Sequence, residues 1–437
     1  MKMMRFILPL VLLVAALPAR AEVNIQEVTS PGGIKAWLVE DHEIPFTALE
    51  LRFKGGAVLD LPGKKGATNL MVGLLEEGAG DLDSRAFARA TEELAAGFSY
   101  DLSDDVVSVS ARFLTENRDQ AVGLLRDSLI NPRFDPDAID RVRQQVLSGI
   151  LSDEKNPRDI ASKQFRKLVY GDHPYAQDQS GTVDSVSALT RDDLVMAHRN
   201  ALTRDRLYVS AVGDITPGEL SALLDRLLAD LPKAGPELPG VAALHFPGGV
   251  HVTDFATPQS IALFAQPGID REDPDFFAAY ILDLILGGGS FESRLMQEVR
   301  EKRGLTYGVY TYLVDKEGAK LWMGSVASGN ERIAQAVQVI RDEWQKMLDH
   351  GVTQQELDDA KTYLTGAYPL RFDGNATIAN IMVGMQADGM PIDYIATRND
   401  QVNAVTLDDV QRVAKRLLDP AKLTFVVVGQ PEGLPAN

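Results

Sequence analysis

Leu189–Leu194 reads LTRDDL, and Val405–Val410 reads VTLDDV. Tyr208–Gly213, YVSAVG, is matched in the same way by Thr424–Gly429, TFVVVG. Thr190 and Thr406 stand 216 positions apart, as do Gly213 and Gly429, and no gap separates the two matches. Upstream, Ile139-Asp140 aligns with Leu357-Asp358 at an offset of 218. A spacing held this closely marks an internal repeat. The chain reads as two copies of one domain of about 200 residues, an ordinary domain size.

The boundary falls in Leu231–Gly249, LPKAGPELPGVAALHFPGG, whose proline and glycine content suits an exposed linker. The expected division is residues 22–230, a linker at 231–249, and residues 250–437. In the first copy Val23–Val28, Ile34–Glu40, Phe46–Phe53, Val106–Leu114 and Leu207–Val212 read as strands. Gly66–Glu77, Ser84–Ala96, Glu116–Leu129, Pro136–Leu151, Pro157–Val169 and Thr190–Ala201 read as helices, and Thr216–Glu219 is a capping box. The second copy repeats this less fully. Ile261–Gln266 and Lys320–Ala327 are strands, and Asp275–Leu286 is an apolar helix. Asn330 is read as the cap of a long helix with Ile333, Val337, Ile340, Trp344 and Leu348 on one face. Elements are grouped rather than strictly alternating. Each half is therefore expected to be α+β, with helices packed on a mostly antiparallel sheet.

The first 21 residues stand apart. Lys2 and Arg5 precede an apolar run at Phe6–Leu17, and Ala19-Arg20-Ala21 is a cleavage site, so the mature chain is expected to start at Glu22. No later stretch is long enough to span a bilayer. The reading is an exported, soluble protein, with the bacterial periplasm as the expected compartment. There are no cysteines, which excludes disulfides and thiolate chemistry. The formal charge of −18 becomes −21 once Lys2, Arg5 and Arg20 are removed with the leader. That balance argues against nucleic acid and anionic membranes as partners and favours basic peptides.

One stretch invites a chemical reading. Gly287–Tyr312, GGGSFESRLMQEVREKRGLTYGVYTY, is written as loop, helix and strand. Ser290 is a good N-cap, and Phe291, Leu295 and Val299 make an apolar stripe. Lys302 and Arg303 load the last turn, Gly304 stops the helix, and Leu305–Val314 reads as a strand. Arg300 lies off the stripe, and Tyr307 follows on the incoming strand. The two could reach one substrate carbonyl. Equally, Arg300 could be a solvated helix residue and Tyr307 half-buried packing. Elsewhere the chain offers little. None of the six histidines, His42, His173, His198, His245, His251 and His350, belongs to an H-E-x-x-H or H-x-x-E-H pair. The glycine run lacks a P-loop lysine, and no G-x-S-x-G elbow is present. The acidic pairs Glu76-Glu77 and Asp104-Asp105 read as solvated faces.

With its duplicated α+β domain and the run Ser293-Arg294-Leu295…Glu298-Val299-Arg300-Glu301-Lys302-Arg303-Gly304-Leu305-Thr306-Tyr307, the chain resembles the pitrilysin-type zinc peptidases, or inverted zincins. The likeness spans essentially Glu22–Asn437. In that family an Arg and a Tyr seven residues apart bind the substrate backbone near the scissile carbonyl. The resemblance places Arg300 and Tyr307 in that role. It also exposes a departure. Zinc-bearing members carry H-x-x-E-H on the first long helix, and here that motif falls on Asn69-Leu70-Met71-Val72-Gly73. Asn69 and Gly73 replace the zinc histidines. Arg141–Ser152, RVRQQVLSGILS, which would supply the third ligand, has no acidic residue. No zinc site is therefore expected in this chain.

In several relatives the zinc and the Arg/Tyr pair are divided between two chains that close a clam-like chamber around a peptide. This chain looks like the second kind. The resemblance implies the non-zinc, substrate-binding subunit of a heterodimeric periplasmic metallopeptidase, inactive alone. A homologous H-x-x-E-H subunit would supply Zn²⁺. The alternative is a proteolytically inactive peptide-binding or scaffolding subunit.

Overall fold

The computed structural model describes residues 23–289 and 291–434. The leader expected at residues 1–21 and the cap expected at Ser290 lie outside the described residues.

The first half contains, in order, β1 (Gln26–Thr29), β2 (Lys35–Glu40), β3 (Phe46–Lys54), α1 (Ala67–Val72), β4 (Gly78–Ala79), β5 (Leu82–Asp83), α2 (Ser84–Glu93), β6 (Gly97–Leu102), β7 (Val106–Leu114), α3 (Arg118–Ile130), α4 (Pro136–Asp153), α5 (Pro157–Tyr170), α6 (Val183–Ser187), α7 (Arg191–Ala201), β8 (Leu207–Gly213) and α8 (Pro217–Leu228). The second half contains β9 (Gly249–Asp254), β10 (Gln259–Pro267), α9 (Phe276–Leu286), β11 (Val309–Lys316), β12 (Ala319–Gly329), α10 (Ile333–His350), α11 (Gln354–Ala367), α12 (Asn375–Ala387), α13 (Tyr394–Ala404), α14 (Leu407–Leu417) and β13 (Thr424–Gly429).

Of the two large sheets one runs β1-β2-β8-β3-β7-β6 and the other β9-β13-β10-β12-β11, while β4 and β5 form a separate two-stranded pair. Without β1 the two orders are the same. In each, one parallel pair, β2/β8 or β9/β13, sits in an otherwise antiparallel ladder. Two α+β domains on mostly antiparallel sheets are thus the architecture.

The repeated motifs occupy equivalent places. Thr190 caps α7, and the Asp193 carboxylate accepts from the Thr190 backbone N–H at 2.8 Å. Thr406 caps α14 in the same way, with Asp409 at 2.9 Å. Each reciprocal cap satisfies two of the N–H groups that a helix start leaves unpaired. Each capped helix leads to a central strand ending in glycine. Gly213 and Gly429 have φ of +133° and +149°, and a Cβ there would lie 2.2 Å from the Phe46 carbonyl oxygen or 2.3 Å from Ser260 Oγ. Only glycine fits that left-handed, crowded position.

Each sheet is covered on one face by its own helices and on the other by a helix from the opposite domain. Ala379, Met382 and Met385 of α12 pack on Trp37, Ala48 and Val212 of the first sheet. Ser210 Oγ donates to the Ala379 carbonyl at 2.6 Å, and Gln386 Nε2 donates to the Val209 carbonyl at 2.7 Å. Reciprocally, Ala161, Phe165 and Val169 of α5 pack on Ile261, Leu263, Val426 and Val428 of the second sheet. β13, buried along its whole length, accordingly reads as a continuous apolar run.

The hairpin tips of the two domains also meet, which corrects the reading of Asp104-Asp105 as a solvated face. Asp104 is buried. It accepts from Arg166 Nη2 at 2.7 Å and Nη1 at 3.1 Å, and it pairs with Lys316 at the opposite tip. Asp105 accepts from the Tyr175 hydroxyl, which in turn accepts from Gly318 N at 3.0 Å.

Other readings are revised. β6 was not legible as a strand. α10 starts after Arg332 rather than at Asn330, whose side chain instead accepts from Ser260 Oγ at 2.6 Å and donates to the Thr257 carbonyl at 2.7 Å. Residues 231–248 carry no helix or strand and form the expected linker, tied down at points along its length. Leu231 and Ala242 are buried, and Ala242 and His245 donate backbone bonds to Gly318 and Val169 at 2.8 and 2.9 Å.

Two predictions follow the buried acids. Burial pushes the Asp104 carboxyl up, but Arg166 and Lys316 outweigh it and hold it below the usual range. Its contribution is therefore present at neutral pH and is lost as pH falls below about 4. Asp104→Asn should cost about 3 kcal/mol at pH 7, read by urea unfolding, with the deficit shrinking in acid. Asp283 on α9 behaves oppositely. It accepts from Trp322 Nε1 at 2.7 Å, and burial raises its carboxyl to about 6. The folded state then binds the extra proton, so wild-type stability falls as pH rises from about 4 through about 6. Asp283→Asn should flatten that slope, removing about 2–3 kcal/mol of pH dependence in melting curves between pH 4 and 8.

Candidate functional site

The segment after α9 is built to present two side chains. Gly287 and Gly288 both donate to the Asp283 carbonyl at 2.9 Å, closing a tight turn, and Thr311 N donates to the Gly287 carbonyl at 2.9 Å. The following helix is not the regular one that the 3.6-residue spacing suggests. Its last turns, Met296–Glu301, are π-helical, with Lys302 N bonded to the Gln297 carbonyl at 3.0 Å. The helix begins only at Arg294, and Phe291 lies on the turn before it. Leu295, Met296 and Val299 are buried, whereas Phe291 is 60% exposed and leaves the stripe to which the spacing assigned it. π-Helical turns such as these interrupt helices often at functional sites. Gly304, at φ +61°, ends the helix with Gly304 N to the Arg300 carbonyl at 2.7 Å and Leu305 N to the Val299 carbonyl at 3.0 Å.

The cations of this helix have different fates. Lys302 and Arg303 both grip Glu298, at 2.5 Å each, and hold its carboxyl below the ordinary range. Arg300 is half-buried. Its guanidinium lies 4.9 Å over the Phe291 ring, and Nε is 3.3 Å from Glu301. The displaced Phe291 thus serves as a platform for Arg300.

Tyr307 precedes β11 rather than lying within it, and its ring is 88% exposed. It is neither a strand residue nor half-buried packing. Its neighbours are nevertheless fixed. Thr306 Oγ1 donates to the Ala327 carbonyl at 2.6 Å and accepts from Gly308 N at 3.1 Å, and Ser328 Oγ donates to the Leu305 carbonyl at 2.5 Å. Tyr310 and Tyr312 follow on β11, an edge strand, at 42% and 44% exposure. Among the described residues no hydrogen bond, ion pair or ring contact joins Arg300 to Tyr307. They share one short structural unit rather than a bond.

The positions where zinc ligands would stand lie elsewhere. Asn69 lies on α1 and Gly73 just follows it; the buried side chains of α1 join the first domain's core, whereas Leu295, Met296 and Val299 belong to the second domain's. α1 ends at Val72, well short of the helix expected to reach Glu77. Asn69 offers a neutral amide and Gly73 no side chain. Glu77 is engaged by Ser84 Oγ at 2.6 Å and by Arg141, the first residue of the segment that lacks acids. Among the described residues no group of three or more His, Asp or Glu side chains could hold a metal ion. The donor set does not fit zinc. The one well-buried histidine, His198, has Nε2 2.8 Å from the Leu129 carbonyl and serves the core.

Comparison with known proteins agrees with this geometry. The insulinase (peptidase family M16) profile matches residues 35–183, and the peptidase M16 inactive domain profile matches residues 188–364. A Helicobacter pylori protein named Non-peptidase homolog YmxG is 26% identical over 390 residues, covering 89% of this chain and 90% of that protein. An uncharacterized zinc protease of Streptomyces coelicolor is 26% identical over 406 residues, covering 90% and 87%. The crystal structure of a peptidase M16 inactive domain from Pseudomonas fluorescens superimposes with a TM-score of 0.88 at 30% identity, covering 94% of this chain and 99% of that one. By fold, by sequence and over nearly its full described length, this chain belongs to the M16, pitrilysin-type peptidase family, as a member without the family's zinc ligands.

Proposed function

We propose that this chain is the non-zinc, substrate-binding subunit of a two-chain metallopeptidase of the bacterial periplasm. A homologous H-x-x-E-H subunit supplies the metal and the attacking water, and the substrate is a peptide. In this reading the Arg300 guanidinium anchors a peptide carbonyl, and the Tyr307 hydroxyl donates to the oxyanion that develops as that carbonyl is attacked. A preorganised donor of this kind contributes about 10²–10³ in rate.

The observation that carries the reading is the state of Tyr307. An aromatic ring 88% exposed to water, on a loop pinned by Thr306 and Ser328, satisfies nothing within its own chain. Pinning a loop that leaves its aromatic ring unburied costs conformational freedom and returns no packing by that ring, which points to a use outside the chain. The exposed Tyr310 and Tyr312 beside it extend the same surface, and aromatic residues are enriched where proteins meet. Among the described residues no helix is long and apolar enough to cross a membrane.

A second reading, a proteolytically inactive peptide-binding or scaffolding subunit, is favoured by one observation. The Helicobacter pylori relative that matches along 89% of the chain carries the name of a non-peptidase homolog. Activity measurements separate the two. Tyr307→Phe should lower kcat of the mixed complex by about 10²–10³-fold. Its melting temperature and the zinc content of the partner should not change, because the ring is exposed. An unchanged kcat discards the catalytic role. Metal analysis of this chain purified alone should find no stoichiometric zinc, and peptide hydrolysis should appear only on adding the zinc-bearing subunit. Chelator-sensitive hydrolysis by the lone chain would overturn the division of labour.

A further inference from the structure

A cleft of about 340 Å³ lies at the junction of the two domains, among α9, α12, α13 and β3. Its lining includes four arginines, Arg52, Arg271, Arg371 and Arg398, and one acid, Asp388. Among the described residues none of the four has a carboxylate within 4 Å. A local excess of positive charge stands out in a chain of formal charge −18.

The arginines are held by rings and neutral acceptors instead. Arg271 lies 4.6 Å over Phe276 and 5.5 Å over Tyr394, whose hydroxyl accepts from Nη2 at 2.5 Å. Arg398, 4% exposed, lies 4.5 Å over Tyr368 and 5.9 Å over Tyr280, and Nη1 donates to the Leu364 carbonyl at 2.8 Å. Arg52 reaches from the first domain to Asn380 of α12 at 2.9 Å. Stacking occupies the faces of a guanidinium and leaves in-plane N–H donors at its edge. Arg412 and Arg416 in the same domain provide the contrast. Both are neutralised by Asp275, and Arg416 also by Asp273, so they are structural.

We propose that the cleft binds an organic anion, a carboxylate borne on an aromatic or large apolar group, as a peptide offers at a C-terminal phenylalanine, tyrosine or leucine. The cations supply charge-assisted donors for the carboxylate. Phe276, Phe277 and Phe372 supply apolar wall. The volume is of the order that small-molecule sites occupy, about 300–1,000 Å³, and is more than a bare inorganic ion requires. The site is separate from the Arg300/Tyr307 unit. The cleft takes the start of α9 and the glycine turn follows its end, about 10–16 Å away along the helix axis.

Isothermal titration calorimetry on the mature chain alone tests this, with four probes: N-acetyl-L-phenylalanine, its carboxamide, a hexapeptide ending in phenylalanine acid, and inorganic phosphate. The acid should bind at least about tenfold more tightly than the amide and than phosphate. Arg52→Gln keeps a donor for Asn380 and should weaken acid binding by about tenfold or more. Gly384→Ile, which places its side chain beside Arg52 in the cleft, should abolish it. A hexapeptide that binds more tightly than the single residue identifies a peptide terminus as the source, and equal binding identifies a free organic acid. Either outcome supports the site. Acid and amide binding equally, phosphate matching the acid, no binding by any probe, or indifference to both substitutions would overturn it. Because this chain is tested without a partner, failure here leaves the two-chain reading standing.

Discussion

Neither sheet of this protein is finished by its own domain. α12 of the second half covers the first sheet, and α5 of the first half covers the second. Burying a large apolar side chain contributes about 1.5–3 kcal/mol, and several such side chains lie at each contact. Pulling the halves apart would expose both sheet faces together and would also strip Asp104 of Lys316, leaving a buried acid with half its compensation. The two domains are therefore thermodynamically one body. Wide opening and closing within this chain is disfavoured, so any large clam-like motion in an assembly has to occur between chains.

That rigidity explains how an exposed residue can be positioned. The Tyr307 loop hangs from β12 through Thr306 and Ser328, and β12 pairs with β10 at the centre of the second sheet. The far face of that sheet is closed by α5. Order at the loop is thus supplied by a helix from the other domain. The π-turn adds a second device. It ends the helix that carries Arg300, while Phe291, on the turn before that helix, gives Arg300 an aromatic support.

The duplication was legible because its signals are local. A Thr-x-x-Asp cap needs only four consecutive residues, and the terminal glycines answer to the strand immediately beside them. What the sequence concealed depends on distant partners or on where an element begins. Asp104-Asp105 looks like any acidic turn until Arg166 and Lys316 arrive from elsewhere in the chain, 62 and 212 residues away. Phe291, Leu295 and Val299 stand at regular spacing, yet the helix begins only at Arg294 and leaves Phe291 exposed on the turn before it. Tyr307 reads as strand because its neighbours are Thr, Val and Tyr. Gly308 and the Thr306 bonds hold it just outside the ladder. The arginine cleft was unreadable for a related reason, since its members come from β3, α9, α12 and α13 and no short motif unites them.

The loss of the metal site is more than two substitutions. Asn69 and Gly73 remove the donors, but the surroundings have also settled into a different arrangement. α1 stops at Val72, and Leu74 and Leu75 turn into the core. Glu77, an acid on the segment just beyond, is paired with Arg141. A ligand carboxylate must be free to meet a cation from outside, whereas this one already has a cation on a neighbouring helix. Restoring two histidines would not by itself rebuild a zinc site, because Val72 stands where the catalytic acid would be and Arg141–Ser152 offers no third carboxylate. The exposed Tyr307 loop lies in the second domain, and the arginine cleft lies at its junction with the first. Neither place has the donors to activate water.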